Sequence, residues 1–313
     1  MKGMILAAGF GTRLRPITHT LPKPMVPLCN RPLIAWAVES FHAAGVRDLI
    51  VNLHHLPEAI ETYLRATYGN VEFSYEEQIL GTGGAIRRVR PLLADDEAFY
   101  LVNGDTVQFP RWSELRASLG DNIAALTLRH PPENDRFTPV YLDAGHVTGF
   151  GKGTGQPLMF AGSHLISTRI FESLPEVDEF GIVDRVYQPL LDSGRERIAG
   201  IVDDGLWFDI GTPQRYVGAS RGLLDAMLRG ELAPPPGSRI DGDSLVHESA
   251  RGQASRSVIG ANSVVNGDVR DSIIWDDCTI DGTLERCIVT HGTRVTGDHR
   301  DELIVGDEIV PLA

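Results

Sequence analysis

The sequence predicts an α/β protein, with a mostly parallel sheet sandwiched by helices and a small β-rich unit after it. Three observations carry that expectation. Apolar strands and amphipathic helices alternate over the first hundred residues, the pattern of parallel strands joined by right-handed crossovers. The first apolar run, residues 4–8, stops abruptly at Gly9 and Gly11, as a buried strand does before a tight turn. Beyond the stretch LAPPPGS at 232–238, helical periodicity vanishes and short apolar patches recur between turn residues.

The elements follow in order. Residues 1–8 read as a buried strand. Asn30 is the expected cap of a helix with Pro32 in its first turn. Leu33, Ala37, Val38, Phe41 and Ala44 then keep helical spacing until Gly45. A strand at 46–53, a helix at 57–68, a strand at 71–75 and a helix at 83–93 lead to the strand AFYLVN, which ends in Gly104-Asp105. Ligands of such sheets sit at the carboxyl ends of strands, where residues 9–13 and Asp105 fall. Strands are expected at 123–129, 140–150 and 158–166, and a helix at 182–191. GLWFDIGTPQRY reads as a short strand and a turn, with Pro213 opening a helix to about 229. The prolines make 232–237 a hinge, which divides the chain into 1–231 and 238–313. In the second part SVIGANSVV, DSIIWDDCTI and RCIVTHGTRV read as coils of a β-solenoid with a period near six. The alternative is an irregular β-rich tail.

Composition excludes several classes. A net charge of −13 over 313 residues disfavours a nucleic-acid partner, which needs a basic face. No stretch of about 20 apolar residues occurs, so no membrane span is expected. The N-terminal apolar run is too short for a signal peptide. The three cysteines, Cys29, Cys278 and Cys287, are scattered without zinc spacing, which fits a reducing, cytoplasmic setting. His54-His55 is not a metal-ligand spacing and reads as a loop feature. A homo-oligomer is allowed but not demanded.

Charge is uneven along the chain. Before Glu39 there are Lys2, Arg13, Arg15, Lys23 and Arg31 and no acidic residue, which suggests a local anion site. Only Lys2, Lys23 and Lys152 of the 29 basic residues are lysines, and Lys23 is boxed by prolines. A strand feeding a glycine turn presents backbone N–H groups to phosphates. Arg13 can then add a charge-assisted fork.

The whole stretch from Leu6 to Pro24, L-A-A-G-x-G-T-R-L-x-P-x-T-x-x-x-P-K-P, resembles the N-terminal motif of the sugar-1-phosphate nucleotidylyltransferases. ILGTGGA, VNGDT, FAGSHLIS and WFDIGTPQRY follow in family order. The resemblance covers about 1–230 and implies a Rossmann-like sheet, while the tail resembles the short left-handed β-helix of many members. It implies in-line attack of a sugar 1-phosphate on the α-phosphorus of a nucleoside triphosphate (NTP). Leu6, Ala7, Ala8, Gly9, Gly11, Thr12 and Arg13 would hold the nucleotide, with Gly81, Thr82 and Gly83. Arg13 would meet the charge developing on pyrophosphate, and Lys23 would sit near the α-phosphate. Asp105 and Asp209 would hold Mg2+, a hard cation suited to carboxylates and phosphate oxygens. Gly104, Lys152, Gly162 and Asp209 would face the sugar phosphate.

Base and sugar are less constrained. Glu76 stands where UTP- and dTTP-using relatives often have Gln. A carboxylate only accepts hydrogen bonds, and guanine offers two adjacent donors where uracil and thymine offer one between carbonyls. GTP is therefore favoured, with UTP and dTTP as alternatives. Lys152 lacks the usual Glu and Pro neighbours, and Phe160 stands where Asn is common. Mannose, a heptose, an amino sugar or a cyclitol all remain open. A non-catalytic regulatory copy would have lost some of Arg13, Lys23, Asp105 or Asp209, and all four are present. A NAD-binding reading fails because G-F-G-T-R is not G-x-G-x-x-G.

Overall fold

The computed structural model describes residues 1–132 and 137–312. The chain forms two compact units, residues 1–10 with 34–207 and residues 11–33 with 208 onward. The proline segment 232–237 lies inside the second unit, not at the division between the two. Among the described residues, no helix is long and apolar enough to cross a membrane.

The first unit is built on a nine-stranded sheet of order β3-β2-β1-β4-β9-β6-β10-β8-β7. Strands β1 (Gly3–Leu6), β2 (Leu49–Leu53), β3 (Val71–Tyr75) and β4 (Ala98–Asn103) are parallel neighbours. After the short β5 (Thr106–Gln108) come β6 (Ala124–Arg129), β7 (Val140–Asp143), β8 (His146–Phe150), β9 (Gln156–Ser167) and β10 (Ile198–Val202). Strand β9 runs antiparallel between β4 and β6, so the sheet is mixed beyond its parallel half. Helices α1 (Leu33–Ala43), α2 (Pro57–Thr67), α3 (Gly81–Arg88), α4 (Trp112–Leu119) and α5 (Gln188–Asp192) connect the strands. Met4, Ile50, Leu101, Leu126 and Ile166 are fully buried. Burial on both faces explains why these strands read as unbroken apolar runs.

Three expected elements are divided in the structure. The strand at 140–150 is a hairpin, because Ala144 and Gly145 take positive φ of 46° and 80° and turn the chain. The helix at 83–93 is α3 followed by a 3-10 turn, Arg90–Leu93, since Pro91 lacks the N–H that a continuing helix needs. The helix at 182–191 opens with a π turn, Val183–Tyr187, before α5.

The second unit joins the glycine-and-lysine segment to β11 (Trp207–Asp209) from Phe208 on, α6 (Pro213–Leu228) and the tail. The tail opens with the antiparallel pair β12 (Ser238–Asp241) and β13 (Ser244–His247). Three parallel ladders follow. One runs from β13 through β14 (Val258–Ile259), β17 (Ile273–Ile274) and β20 (Ile288–Val289) to β23 (Glu302–Val305). The others are β15 (Val264–Val265), β18 (Thr279–Ile280), β21 (Arg294–Val295), and β16 (Asp268–Arg270), β19 (Thr283–Glu285), β22 (Asp298–Arg300). Strand β24 (Glu308–Pro311) closes against β23.

This is a three-faced β-solenoid, but its repeat is not six. Ser257 accepts from the N–H of Ser272, and Ser272 from that of Cys287, each 15 residues on. The sides are short because Asp271, Arg286 and Asp301 turn one set of corners at positive φ, and Asn262 and Asp277 another. Asn30 also departs from expectation. It takes φ 59° and caps no helix; its amide donates to Ser238 Oγ at 3.2 Å and to the Ile259 carbonyl at 2.9 Å. The amide thus links the chain before α1 to the solenoid.

Candidate active site

In the first unit the strand ends converge on a buried carboxylate. Leu6 closes β1, and Ala7 and Ala8 are buried beyond it. The Ala7 N–H donates to Asn52 Oδ1 at 2.7 Å. The Asn52 amide donates to Glu76 Oε1 at 2.7 Å, and the Leu80 N–H donates to Glu76 Oε2 at 3.0 Å. Glu76 is 5% exposed. A solvated Glu76 on an outer face is therefore ruled out; the carboxylate is desolvated and needs these donors. Gly9 is exposed, and Phe10 projects edge-on against His54 with ring centroids 5.1 Å apart. His54 Nδ1 lies 2.8 Å from the Glu76 carbonyl, so the histidine pair serves the loop.

The glycine-rich start of α3 is held by its own unit. Thr82 Oγ1 accepts from the Ile182 N–H at 2.9 Å, and the Gly83 N–H donates to the Phe180 carbonyl at 2.9 Å. Gly81 turns at φ 67° against Phe180. The Gly83 N–H thus already has its acceptor.

At the end of β4 the Gly104 N–H donates to the Leu6 carbonyl at 2.8 Å, which brings the VNGDT turn beside the end of β1. Asp105 is half-buried in that turn. Gly162, at φ 90°, backs onto the Asn103 amide. Phe160 meets His164 edge-on, with centroids 4.5 Å apart. Lys152 is exposed in the bend after β8.

The second unit gathers the remaining charges. Thr12 and Arg13 form an exposed 3-10 turn, Thr12–Leu14, after Gly11 at φ 62°. A Cβ at position 11 would come within 2.9 Å of Lys23 Cβ, so glycine is needed there for both conformation and space. Thr18 Oγ1 donates to the Gly11 carbonyl at 2.8 Å. Lys23 is 7% exposed, in a 3-10 turn entered through extended Pro22.

Asp209 is partnered by an arginine. Arg215 Nη1 donates to Asp209 Oδ2. A Cβ at Gly211 would lie 3.1 Å from each terminal nitrogen of Arg13 and 3.1 Å from Asp209 Oδ1. Arg13 and Asp209 therefore flank the same glycine, and Arg215 steadies the carboxylate from its other oxygen.

Sequence reading missed Asn52, Arg215 and Tyr216. Asn52 had a signal, a lone amide inside the apolar run LIVNL. The cysteines are buried and free. Burial pushes the Cys29 thiol up to about 12 and the Cys278 thiol to about 11. Among the described residues no group of three or more His, Cys, Asp or Glu could hold a metal.

Residues 2–134 match the family model described as nucleotidyl transferase. A mannose-1-phosphate guanyltransferase of Hypocrea jecorina is 30% identical over 96% of this chain and 84% of its own length. A mannose-1-phosphate guanylyltransferase of Mycobacterium tuberculosis is 32% identical over 84% of this chain and 75% of its own. The crystal structure of HddC from Yersinia pseudotuberculosis complexed with GMP-PN shares the fold. It has TM-score 0.60 and 24% identity, covering 71% of this chain and 99% of that one. With the Leu6–Pro24 motif, these matches make the chain a member of the sugar-1-phosphate nucleotidylyltransferase family.

Proposed function

We propose that the enzyme transfers a guanylyl group from GTP to a sugar 1-phosphate, with mannose 1-phosphate the first candidate acceptor. The observation that carries the base assignment is Glu76, a buried carboxylate fixed at the carboxyl ends of β2 and β3. It can only accept, and guanine alone among the common bases offers N1–H and a 2-amino group side by side. The names of the two relatives agree. The donor is GTP in this reading, with pyrophosphate as the second product.

The acceptor's phosphate oxygen bonds to the α-phosphorus as the bond to the bridging α–β oxygen breaks, and pyrophosphate departs. The barrier is largely charge, so positioned cations do the work. Arg13 neutralises the departing pyrophosphate, and Lys23, desolvated and held by prolines, steadies the α-phosphate. Leu6 at the end of β1 and the turn after it (Ala7, Ala8, Gly9, Gly11 and Thr12) hold the phosphates, and Gly81, Thr82 and Gly83 wall the base. Gly104, Gly162, Lys152 and Asp209 serve the sugar phosphate. Asp105 and Asp209 are the carboxylates assigned to Mg2+, which when bound would offset phosphate charge. The tail is assigned the left-handed winding of family β-helices. Free buried thiols fit a cytoplasmic location.

The test is pyrophosphate release from GTP and mannose 1-phosphate with Mg2+, in wild type and in Arg13→Ala, Lys23→Ala and Asp105→Asn. Loss of activity in all three, with unchanged circular dichroism, supports the assignment. Near-normal turnover in any one removes that residue from the site.

A further inference from the structure

We propose that Asn52 is a positioning residue that makes Glu76 a selective acceptor for the base. This rests on the reading of Glu76 as the guanine acceptor. Asn52 is 4% exposed at the end of β2, in register with Leu6 of β1 and Ser74 of β3. Its amide works in both directions, accepting from Ala7 and donating to Glu76.

Ala7, Asn52, Glu76 and Leu80 form one hydrogen-bonded chain across three strand ends and the start of α3. Each Glu76 oxygen receives one donor from this chain. A carboxylate has about four acceptor positions, so each oxygen keeps one for a ligand. The Glu76 backbone is fixed as well: its N–H donates to the Leu53 carbonyl at 2.8 Å, and its own carbonyl faces His54. Side-chain rotation is thus the freedom left to Glu76, and Asn52 restrains it together with the Leu80 N–H. The same amide sets the first residue of the phosphate-holding turn. Asn52 therefore couples where the base sits to where the phosphates sit, and it needs no ligand contact to do so.

A merely structural residue would lower turnover with every nucleotide alike. A positioning residue changes the ratio between nucleotides. The informative pair is GTP and ITP, which differ only in the 2-amino group. In wild type GTP should exceed ITP in kcat/KM by roughly 10- to 150-fold, the value of one donor to a charged acceptor. Asn52→Asp keeps the acceptor for Ala7 but replaces the donor to Glu76 by a second carboxylate. The expected result is a GTP:ITP ratio at least about tenfold lower, most of that one hydrogen bond's selectivity. Thermal midpoint and circular dichroism report folding. If Asn52→Asp does not fold, the double variant Asn52→Asp with Glu76→Gln restores a donor and an acceptor to the pair. It should fold, and it should discriminate as weakly as Glu76→Gln alone.

A ratio in folded Asn52→Asp within threefold of wild type, with both nucleotides slowed together, would overturn the proposal. So would a double variant that keeps the wild-type ratio. If Glu76→Gln shifts the ratio and Asn52→Asp does not, only the role of Asn52 falls. If Glu76→Gln also leaves it unchanged, the base reading falls and takes this inference with it.

Discussion

Tyr216→Phe is a single-atom perturbation of the frame that carries Lys23. Tyr216 is fully buried in α6, and its hydroxyl donates to the Pro27 carbonyl at 2.5 Å. The same oxygen accepts from the Trp275 indole N–H in the solenoid at 2.9 Å. Burial pushes the phenol's pKa far up, so the group acts as a neutral hydroxyl. Phenylalanine keeps the ring and its packing but orphans two polar groups. An unsatisfied buried group costs about 1–3 kcal/mol. Trp275 is 6% exposed and pays in full, while Pro27 is only half-buried and recovers part from water. The sum is about 2–4 kcal/mol, which lowers the melting midpoint by roughly 3–6 °C in a chain of 313 residues. Pro27 lies four residues beyond Lys23, so the lysine turn loses an anchor. Misplacement of a catalytic group by about 1 Å can cost 100-fold, and kcat should fall roughly 10-fold or more with KM for GTP little changed. The assay is a paired thermal melt and steady-state measurement of wild type and variant. A midpoint within 2 °C of wild type, or full kcat, would refute the reasoning.

Three further outcomes follow from specific contacts. Burial lowers the His164 pKa from 6.5 to about 3, and Nδ1 is paired with the Tyr187 hydroxyl. The folded-state value lies below the unfolded one, so the unfolded chain binds the proton first. Stability from this group is complete above about pH 6.5 and declines by about 1.4 kcal/mol per pH unit below it, towards pH 3. Urea midpoints from pH 7 to 4.5 should show that slope in wild type and a shallower one in His164→Gln; equal slopes would contradict it. Gly211→Ala places a methyl 3.1 Å from Arg13 and Asp209 and should cut kcat roughly tenfold or more while leaving the melt nearly unchanged. Asp209→Asn should weaken both the Arg215 pair and the affinity for metal, read as a raised Mg2+ concentration for half-maximal rate.

Strands β1, β2 and β4 were readable because both faces are buried and the apolar runs are nearly continuous, as in residues 98–103. The signature from Gly9 to Pro24 was readable because glycine, arginine and proline each fix a backbone or a charge. What sequence reading could not supply came from distant partners. Asn30 looks like a cap until its amide meets Ser238 and Ile259. Glu76 reads as an acceptor for the base, but its donor Asn52 is visible only once the fold brings the two together. A period near six overstates one side of the coil, because three sides share the 15 residues from Ser257 to Ser272. The informative spacing lies between like corners, Ser257 to Ser272 to Cys287, where the hydroxyl of one coil caps the amide of the next. Nothing local in α6 marks Tyr216 as a link between the lysine segment and the tail.

The most direct measurement is a competition. GTP, UTP, dTTP and ATP are supplied at equal concentration with mannose 1-phosphate and Mg2+, and the nucleotide sugars formed are quantified by mass spectrometry at low conversion. The account predicts that the GDP-sugar dominates by at least about tenfold, the smallest selectivity expected of one hydrogen bond to a buried carboxylate. A UDP- or dTDP-sugar in equal or greater amount would contradict it.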